Sequence, residues 1–420
     1  MKGAARRLTA PWVVPIEGPP LANGAILIGE DGRLAAIGPD HALPTPPGIA
    51  AERLTAAALL PGLINTHTHL ELTGFDDLVP ESDFPEWIRR IIALKAARSA
   101  PEFLVAARQG VRDCWSGGVT TVADTGDSGS VIRALAELGG SGIAYHEVFG
   151  PHPDQAGAAI DAANTRLVEL ERFTGPRVRL GLSPHAPYSV SGELYARVAV
   201  LAAERDLPIA VHIAESEDES LLLEKGAGGF AVAWTARGIP LPPSPGCSPV
   251  AWLDRHGILG PRTLCIHVVR ASTSDLDTLT QRNASIAHCP RSNRRHGHGA
   301  APLGPMLSRG LRVGIGTDSV ASVSPLDLAA EACMAQQSAG LGDEAALRLV
   351  TLDGARALGL DAEVGSLVPG KWGDVVAVGL PGAVDASHLA GTLLSRVHND
   401  VRLTLVGGRE VHRLPCPRVA

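Results

Sequence analysis

The chain has 420 residues, enough for one large and one small domain. Its composition, with 45% hydrophobic and 19% charged residues, is typical of a soluble globular protein. The net charge of −7 argues against a nucleic-acid surface, and no apolar run approaches the length of about 18 residues that a membrane span needs. We therefore expect a cytoplasmic protein without nucleic-acid or membrane partners, whose six cysteines, lacking a CxxC pair, stay reduced.

Both ends of the chain are rich in short strand and turn patterns. Near the N-terminus, AILIGEDGRLAAIG is typical of a β-hairpin with Asp31 and Gly32 at its tip. Near the C-terminus, GDVVAVGL and VRLTLVGGREV follow the same pattern. We predict one small β-sandwich domain built from residues 1–58 and 363–420, with residues 59–362 inserted between its two parts.

The inserted segment alternates apolar strands with helical stretches, which predicts an α/β fold, a (β/α)8 TIM barrel. Between the strands lie helical patterns such as residues 191–206, with Ser191 as the N-cap. The predicted strands are one that ends at His67, followed by 118–125, 142–150, 177–186, 207–215, 262–269, 284–290 and 311–319.

Two connections between barrel strands, 71–108 and 226–261, are long enough to suggest a functional role. The first contains FPEWIRRIIALKAAR, which predicts an amphipathic helix with Phe84 and Trp87 on its apolar face. This face either covers a pocket or packs on the barrel. The second is rich in proline, which indicates a rigid excursion above the barrel mouth.

Histidine and aspartate residues fall at the carboxyl ends of several predicted strands, where active sites of parallel barrels lie. These strand-end residues are His67, His69, His185, His212, His267 and Asp318. A second HxH pair, His296 and His298, lies in the polar, glycine-rich stretch RRHGHGA, and we interpret it as part of a loop. His288 and Cys289 lack partners at zinc-site spacing and are predicted to be core residues.

The chain resembles the amidohydrolase superfamily over nearly its whole length, through PGLINTHTHLE, HIAE, the His267 strand, HCPRSN, GIGTDS and GSLVPGKWGDVVAV. It is most similar to the mononuclear branch of deaminases and chlorohydrolases. The resemblance implies a barrel with a composite β domain and one divalent metal bound by His67, His69, His212 and Asp318. Three neutral imidazoles and a carboxylate suit Zn(II), with Fe(II) as the alternative, and leave a position for water.

The same resemblance implies catalytic roles for three residues. Glu215 in HIAE shuttles protons between water and a ring nitrogen, and His267 acts on the water beside Asp318. The alternatives are a loop carboxylate for Glu215 and a structural histidine for His267. Binuclear relatives carry a carboxylated lysine at the end of the fourth strand, and RVRLGLSPHA has no lysine, which favours a single metal.

Five residues are candidates for contacts with a small-molecule substrate. His185 in SPHAPYS resembles the residue that hydrogen-bonds the purine ring in relatives, with core packing as the alternative. Glu71 either contacts polar groups of the substrate or forms a cap or salt bridge. Trp87 could line the pocket, and Arg291 or Arg89 could bind an anionic group.

The resemblance implies hydrolytic deamination of a 6-aminopurine nucleoside. HTHLEL, SPHAPYS, GCSPVAWLDRHG and HCPRSN are most similar to aminodeoxyfutalosine deaminases of menaquinone biosynthesis. Deaminases of S-adenosylhomocysteine, methylthioadenosine or guanine and triazine hydrolases are the nearest alternatives. A cyclic amide hydrolase and a non-catalytic scaffold are alternatives of other classes, and the sequence leaves a homodimer open.

Overall fold

A computed structural model describes residues 5–414 apart from residues 77, 80–82 and 244–245. Its strands are β1 Arg6–Val13, β2 Leu21–Ile28, β3 Leu34–Pro39, β4 Ala50–Arg53, β5 Ala57–Pro61, β6 Leu63–Thr68, β7 Val119–Gly126, β8 Gly142–Val148, β9 Val178–Pro184, β10 Ile209–Ile213, β11 Thr263–His267, β12 Ser285–His288, β13 Arg312–Ile315, β14 Val375–Gly379, β15 Val401–Val406 and β16 Arg409–Arg413.

The helices follow the strands in the alternation that the sequence predicts. They are α1 Phe84–Ala97, α2 Ala100–Ser116, α3 Ser130–Leu138, α4 Ala156–Glu171, α5 Gly192–Glu204, α6 Glu217–Lys225, α7 Gly228–Ala236, α8 Pro249–Arg255, α9 Thr273–Gln281, α10 Pro290–Arg295, α11 Leu303–Ser308, α12 Leu328–Ala339, α13 Asp343–Leu349, α14 Leu352–Ala357 and α15 Ala386–Arg396. Ser191 caps α5, as predicted, by accepting a hydrogen bond from the backbone N–H of Leu194.

The two ends of the chain form one mixed sheet, which confirms the predicted β domain from both termini. Its strand order is β16-β15-β14-β5-β1-β2-β3, and β4 pairs with β1. The predicted hairpin is present as β2 and β3, and Gly32 at its turn has a φ of 79°, a backbone conformation that favours glycine. The N- and C-terminal parts join where β5 pairs with β14.

The eight strands β6 to β13 form a parallel sheet in sequence order, which confirms the predicted barrel. The sheet nearly closes on itself, because Thr68 at the end of β6 forms a β-bridge with Asp318 just after β13. All six residues of β6 are buried, as expected for a strand covered on both faces. His288 and Cys289 are buried in the core, as predicted.

Gly62 is the single residue between the mixed sheet and the barrel. The apolar run that leads to His67 is therefore not one strand, since Pro61 ends β5 and Leu63 begins β6. A Cβ atom added at Gly62 would lie 2.0 Å from Oγ1 of Thr120, and its backbone N–H donates to the carbonyl of Asp374. The two sheets can approach each other at this point only through a residue without a side chain.

The two long connections both contain helices. In the first, Phe84 of α1 stacks on Trp87 with ring centroids 5.9 Å apart and meets the edge of Tyr188 at 6.3 Å. The second connection contains α7 and α8. Among the described residues, none of the helices combines the length and the hydropathy that a bilayer span requires.

The five described cysteines are all free thiols, and Cys416 lies outside the described residues.

Gly62→Ala should lower the midpoint of urea unfolding, because the new methyl group collides with the stiff, β-branched Thr120. Overpacking of this kind costs about 1–3 kcal/mol. Gly157→Ala in α4 is the matched control, since a Cβ there meets no atom within 4 Å. An unchanged midpoint in the first variant would contradict the tight approach of the two sheets.

Candidate active site

The closing contact of the barrel places Asp318 beside the first barrel strand. The backbone N–H groups of Thr317 and Asp318 both donate to the carbonyl of His67, at 3.0 and 3.1 Å. Asn65 strengthens this contact, because its amide donates to Oγ1 of Thr317 at 2.8 Å. Asp318 has a φ of 59°, a conformation that a non-glycine residue adopts only when its surroundings enforce it.

Four of the predicted residues converge at the barrel mouth. Oδ1 of Asp318 lies 3.7 Å from Nε2 of His67 and 3.6 Å from Nε2 of His69. The ring of His212, from the end of β10, lies 4.9 Å from the ring of His67 and 5.4 Å from that of His69, measured between centroids. Three imidazoles and one carboxylate therefore form a cluster of the kind that binds a metal.

Hydrogen bonds on the outer side of the cluster fix which ring nitrogens face inward. Nδ1 of His69 lies 2.8 Å from the carbonyl oxygen of Thr125, and Nδ1 of His212 lies 3.0 Å from that of His185. Each Nδ1–H donates to its carbonyl, which leaves the lone pair on Nε2. Neither ring nitrogen of the buried His67 has a hydrogen-bond partner within the described part of the chain. A metal ion would satisfy this orphaned imidazole.

Burial keeps the imidazoles of the cluster neutral, the form that binds metals. It lowers the pKa of His67, the pKa of His69 to about 3, and the pKa of His212 well below its ordinary value. Burial also acts to raise the pKa of Asp318, but the neighbouring His67 outweighs it and holds that pKa well below its usual range. The donor set fits a borderline-soft divalent ion such as Zn(II) or Fe(II).

Glu215 lies beside the cluster but outside its four residues. Its Oε1 is 3.5 Å from Nε2 of His267 and 3.5 Å from Nε2 of His298. Its backbone N–H donates to Glu219, which fixes the chain after β10. Burial raises the pKa of Glu215, but the neighbouring imidazoles of His267 and His298 outweigh it and leave that pKa at about 2. Glu215 is therefore an ionised carboxylate.

Helix α10 holds two residues of the site in place. Oδ1 of Asn293 accepts a hydrogen bond from Nδ1 of His267 at 2.9 Å, and Oγ of Ser292 donates to Oδ2 of Asp318 at 2.5 Å. In the structure both side chains bind residues of the site.

His185 contacts the cluster, whereas Glu71 and Trp87 lie further out. The His185 ring is 4.8 Å from that of His212, and burial lowers its pKa to about 4. Glu71 is buried and pairs with Lys95 at 2.8 Å. Trp87 packs on His296 with centroids 4.6 Å apart.

The two arginines proposed for an anionic substrate group are both paired with acids. Arg89 is 71% exposed and lies 2.8 Å from Glu86 in α1. Arg291 lies 3.9 Å from Glu331 and donates to the carbonyl of Pro325. Substrate binding through either guanidinium would have to compete with these contacts.

Three residues at the site were not singled out from the sequence. His298 lies in the predicted loop, yet it is 7% exposed and contacts Glu215. Lys95 on α1 pairs with both Glu71 and Asp127, and the buried Glu147 at the end of β8 lies 4.0 Å from Nε2 of His185. The ends of predicted strands could have indicated Glu147, and the second HxH pair could have indicated His298, but no local pattern marks Lys95.

Known proteins resemble this chain in sequence and structure. The sequence model of the amidohydrolase family matches residues 58–411. The 5′-deoxyadenosine deaminase of Methanothermobacter thermautotrophicus is 33% identical over 88% of this chain and 83% of its own length. The aminodeoxyfutalosine deaminase of Deinococcus radiodurans is 30% identical over 80% of this chain and 81% of its own. The structure of an adenosine deaminase from Xanthomonas campestris with bound zinc is 26% identical to this chain and has a TM-score of 0.82. The match covers 97% of this chain and 93% of the chain in that structure.

The cluster predicts stoichiometric metal binding that depends on His212. Purified wild-type protein should contain about one equivalent of a divalent transition metal per chain by mass spectrometry. His212→Ala should lose most of it, because even residues that only support ligands change metal affinity by about 10–100-fold. His256→Ala, outside the cluster, should keep it. Full metal content in His212→Ala would contradict this assignment.

Proposed function

The chain belongs to the amidohydrolase family, and from this premise we propose that it is a metal-dependent deaminase of adenosine-type nucleosides. It is a hydrolytic enzyme that acts on carbon–nitrogen bonds. The observation that carries the proposal is the position of Glu215, a buried and ionised carboxylate next to the metal-site cluster but outside its four ligands. A group in this position can move protons during hydrolysis.

The proposed metal ligands are His67, His69, His212 and Asp318. A divalent ion held by them would supply Lewis acidity, which lowers the pKa of water towards neutral values. The neutral imidazoles and the ionised Asp318 are suited to hold such an ion without prior loss of a proton. Zn(II) is the proposed ion and Fe(II) the alternative.

Glu215 carries the protons in the proposed reaction. It takes one proton from the attacking water and gives it to the ring nitrogen next to the reacting carbon. It then passes the remaining hydroxyl proton to the amino group as the C–N bond breaks and ammonia leaves. His267 and Asp318 orient the water. These steps convert an aminopurine and water into an oxopurine and ammonia, with atoms and protons balanced.

The proposed substrate is a 6-aminopurine nucleoside, with His185 placed to hydrogen-bond the purine ring. The two sequence relatives described above are named as deaminases of 5′-deoxyadenosine and of aminodeoxyfutalosine. The motifs favour aminodeoxyfutalosine, an intermediate of menaquinone biosynthesis. 5′-Deoxyadenosine is the second candidate, because Arg89 and Arg291 already pair with acids and an uncharged 5′ end needs no cation.

A substrate panel with ammonia detection tests the proposal. Metal-loaded enzyme should release ammonia from adenine nucleosides. Comparison of kcat/KM values for aminodeoxyfutalosine, 5′-deoxyadenosine, methylthioadenosine and S-adenosylhomocysteine should identify the preferred substrate. Deamination should make the product about one mass unit heavier than the substrate, whereas hydrolytic opening of a cyclic amide would add the mass of one water molecule. Guanine and an aminotriazine complete the panel as substrates of the alternative deaminases.

Glu215→Gln is the matched control for this assay. The amide keeps the size of the side chain but cannot accept a proton, so this variant should bind metal normally and lose at least about a hundredfold in kcat. Absence of ammonia release from every adenine nucleoside by metal-loaded wild-type enzyme would rule out the purine proposal. Unimpaired turnover in Glu215→Gln would remove this residue from the mechanism.

A further inference from the structure

Glu215 has two imidazole neighbours, and only one of them has a role in the mechanism described above. His267 and His298 approach the same carboxylate oxygen, each with Nε2 at 3.5 Å from Oε1. Both imidazoles are buried, with exposures of 1% for His267 and 7% for His298. A buried carboxylate needs hydrogen-bond donors to stay ionised at low cost. The question is which imidazole supplies the donor.

The hydrogen bond to Asn293 determines what His267 can offer. Nδ1 of His267 lies 2.9 Å from Oδ1 of Asn293, and this oxygen can only accept. A neutral His267 therefore carries its hydrogen on Nδ1 and presents a lone pair at Nε2. In this tautomer His267 cannot donate a hydrogen bond to Glu215.

His298 is under no such restriction at Nε2. In the described part of the chain, this atom is buried and forms no hydrogen bond, so it is free to donate one. A neutral imidazole with its hydrogen on Nε2 can therefore donate to Oε1 of Glu215. The separation of 3.5 Å is long for a hydrogen bond, as is common at catalytic groups before substrate binds.

Two further contacts fix the His298 ring. Its backbone N–H donates to the carbonyl of Asn293 at 2.9 Å, so the residue that holds His267 also anchors His298. The ring meets Phe84 of α1 edge to face, with centroids 4.5 Å apart and planes at 85°. The imidazole is thus confined between α10, α1 and the carboxylate of Glu215.

We propose that His298 is a positioning residue that donates from Nε2 to Oε1 of Glu215 and holds this carboxylate in the orientation needed for proton transfer. The inference rests on the proposed function, since it assigns a partner to the proton carrier. Because Phe84 lies on α1, His298 also links the first long connection to Glu215.

Kinetics of four variants test the role of His298. His298→Leu keeps bulk but removes the donor, and kcat for the best nucleoside should fall about 10–100-fold, with KM changed by less than about threefold. His298→Gln places an amide N–H near the position of Nε2 and should recover most of kcat. His298→Asn places its amide nearer Nδ1 and should not. Metal content should stay that of wild type in all three.

His296→Leu is the matched control, because His296 makes the same kind of aromatic contact with α1 but none of its nitrogens lies in a described ion pair with Glu215. It should retain kcat within about threefold of wild type. An equal loss of kcat in this variant would assign the effect to loop packing and overturn the inference. So would full activity in His298→Leu, or equal kcat values for the Gln and Asn variants.

Crystal structures of metal-loaded wild-type and His298→Gln and His298→Leu proteins provide a readout that does not need turnover. The carboxylate of Glu215 should keep its position in the Gln variant and rotate away from it in the Leu variant. An unmoved carboxylate in both would overturn the inference. If wild-type enzyme released no ammonia from any nucleoside, the proposed function would fail, while this comparison would still decide whether His298 positions Glu215.

Discussion

The site depends on one contact, the meeting of the first and last barrel strands. His67 at the end of β6 accepts two backbone hydrogen bonds from Thr317 and Asp318, which follow β13 about 250 residues later in the chain. Without this closure, Asp318 would not lie near the imidazoles of His67 and His69. The backbone is strained where it turns out of the barrel, since Asp318, His267 and Ala214 all have positive φ. Such residues cost about 1–3 kcal/mol each, and the surrounding barrel holds them in place.

The groups at the mouth of the barrel have opposite electrostatic requirements that burial alone cannot meet. Metal ligation needs neutral imidazoles, and burial provides them by lowering the pKa of His69 and His212. The proposed proton transfer starts from an ionised Glu215, and burial opposes this by raising its pKa. The nearby His267 and His298 reverse that effect. The same desolvated pocket can therefore hold neutral imidazoles and an ionised Glu215 together, because imidazoles lie next to the Glu215 carboxylate.

The fold and much of the candidate site could be predicted because they follow regular strand patterns. Period and composition identified all eight barrel strands, and the strand ends indicated residues that meet at the barrel mouth, such as His69 and Asp318. His298 was interpreted only as a loop residue. Its position depends on how the chain turns back after α10, which has no periodic signal. The pairing of Arg291 with Glu331 was equally hidden, since it depends on tertiary packing. Arg89 and Glu86, by contrast, are three residues apart on one helix, a spacing that local sequence indicates.

The central claim is that one metal ion joins the first, fifth and eighth barrel strands, and anomalous X-ray scattering tests it most directly. Data collected above and below the zinc absorption edge from crystals of the metal-loaded enzyme should give one strong peak per chain. We expect this peak about 2.0–2.2 Å from His67, His69, His212 and Asp318. A peak elsewhere, or an Asp318 carboxylate that does not reach the ion, would contradict the account.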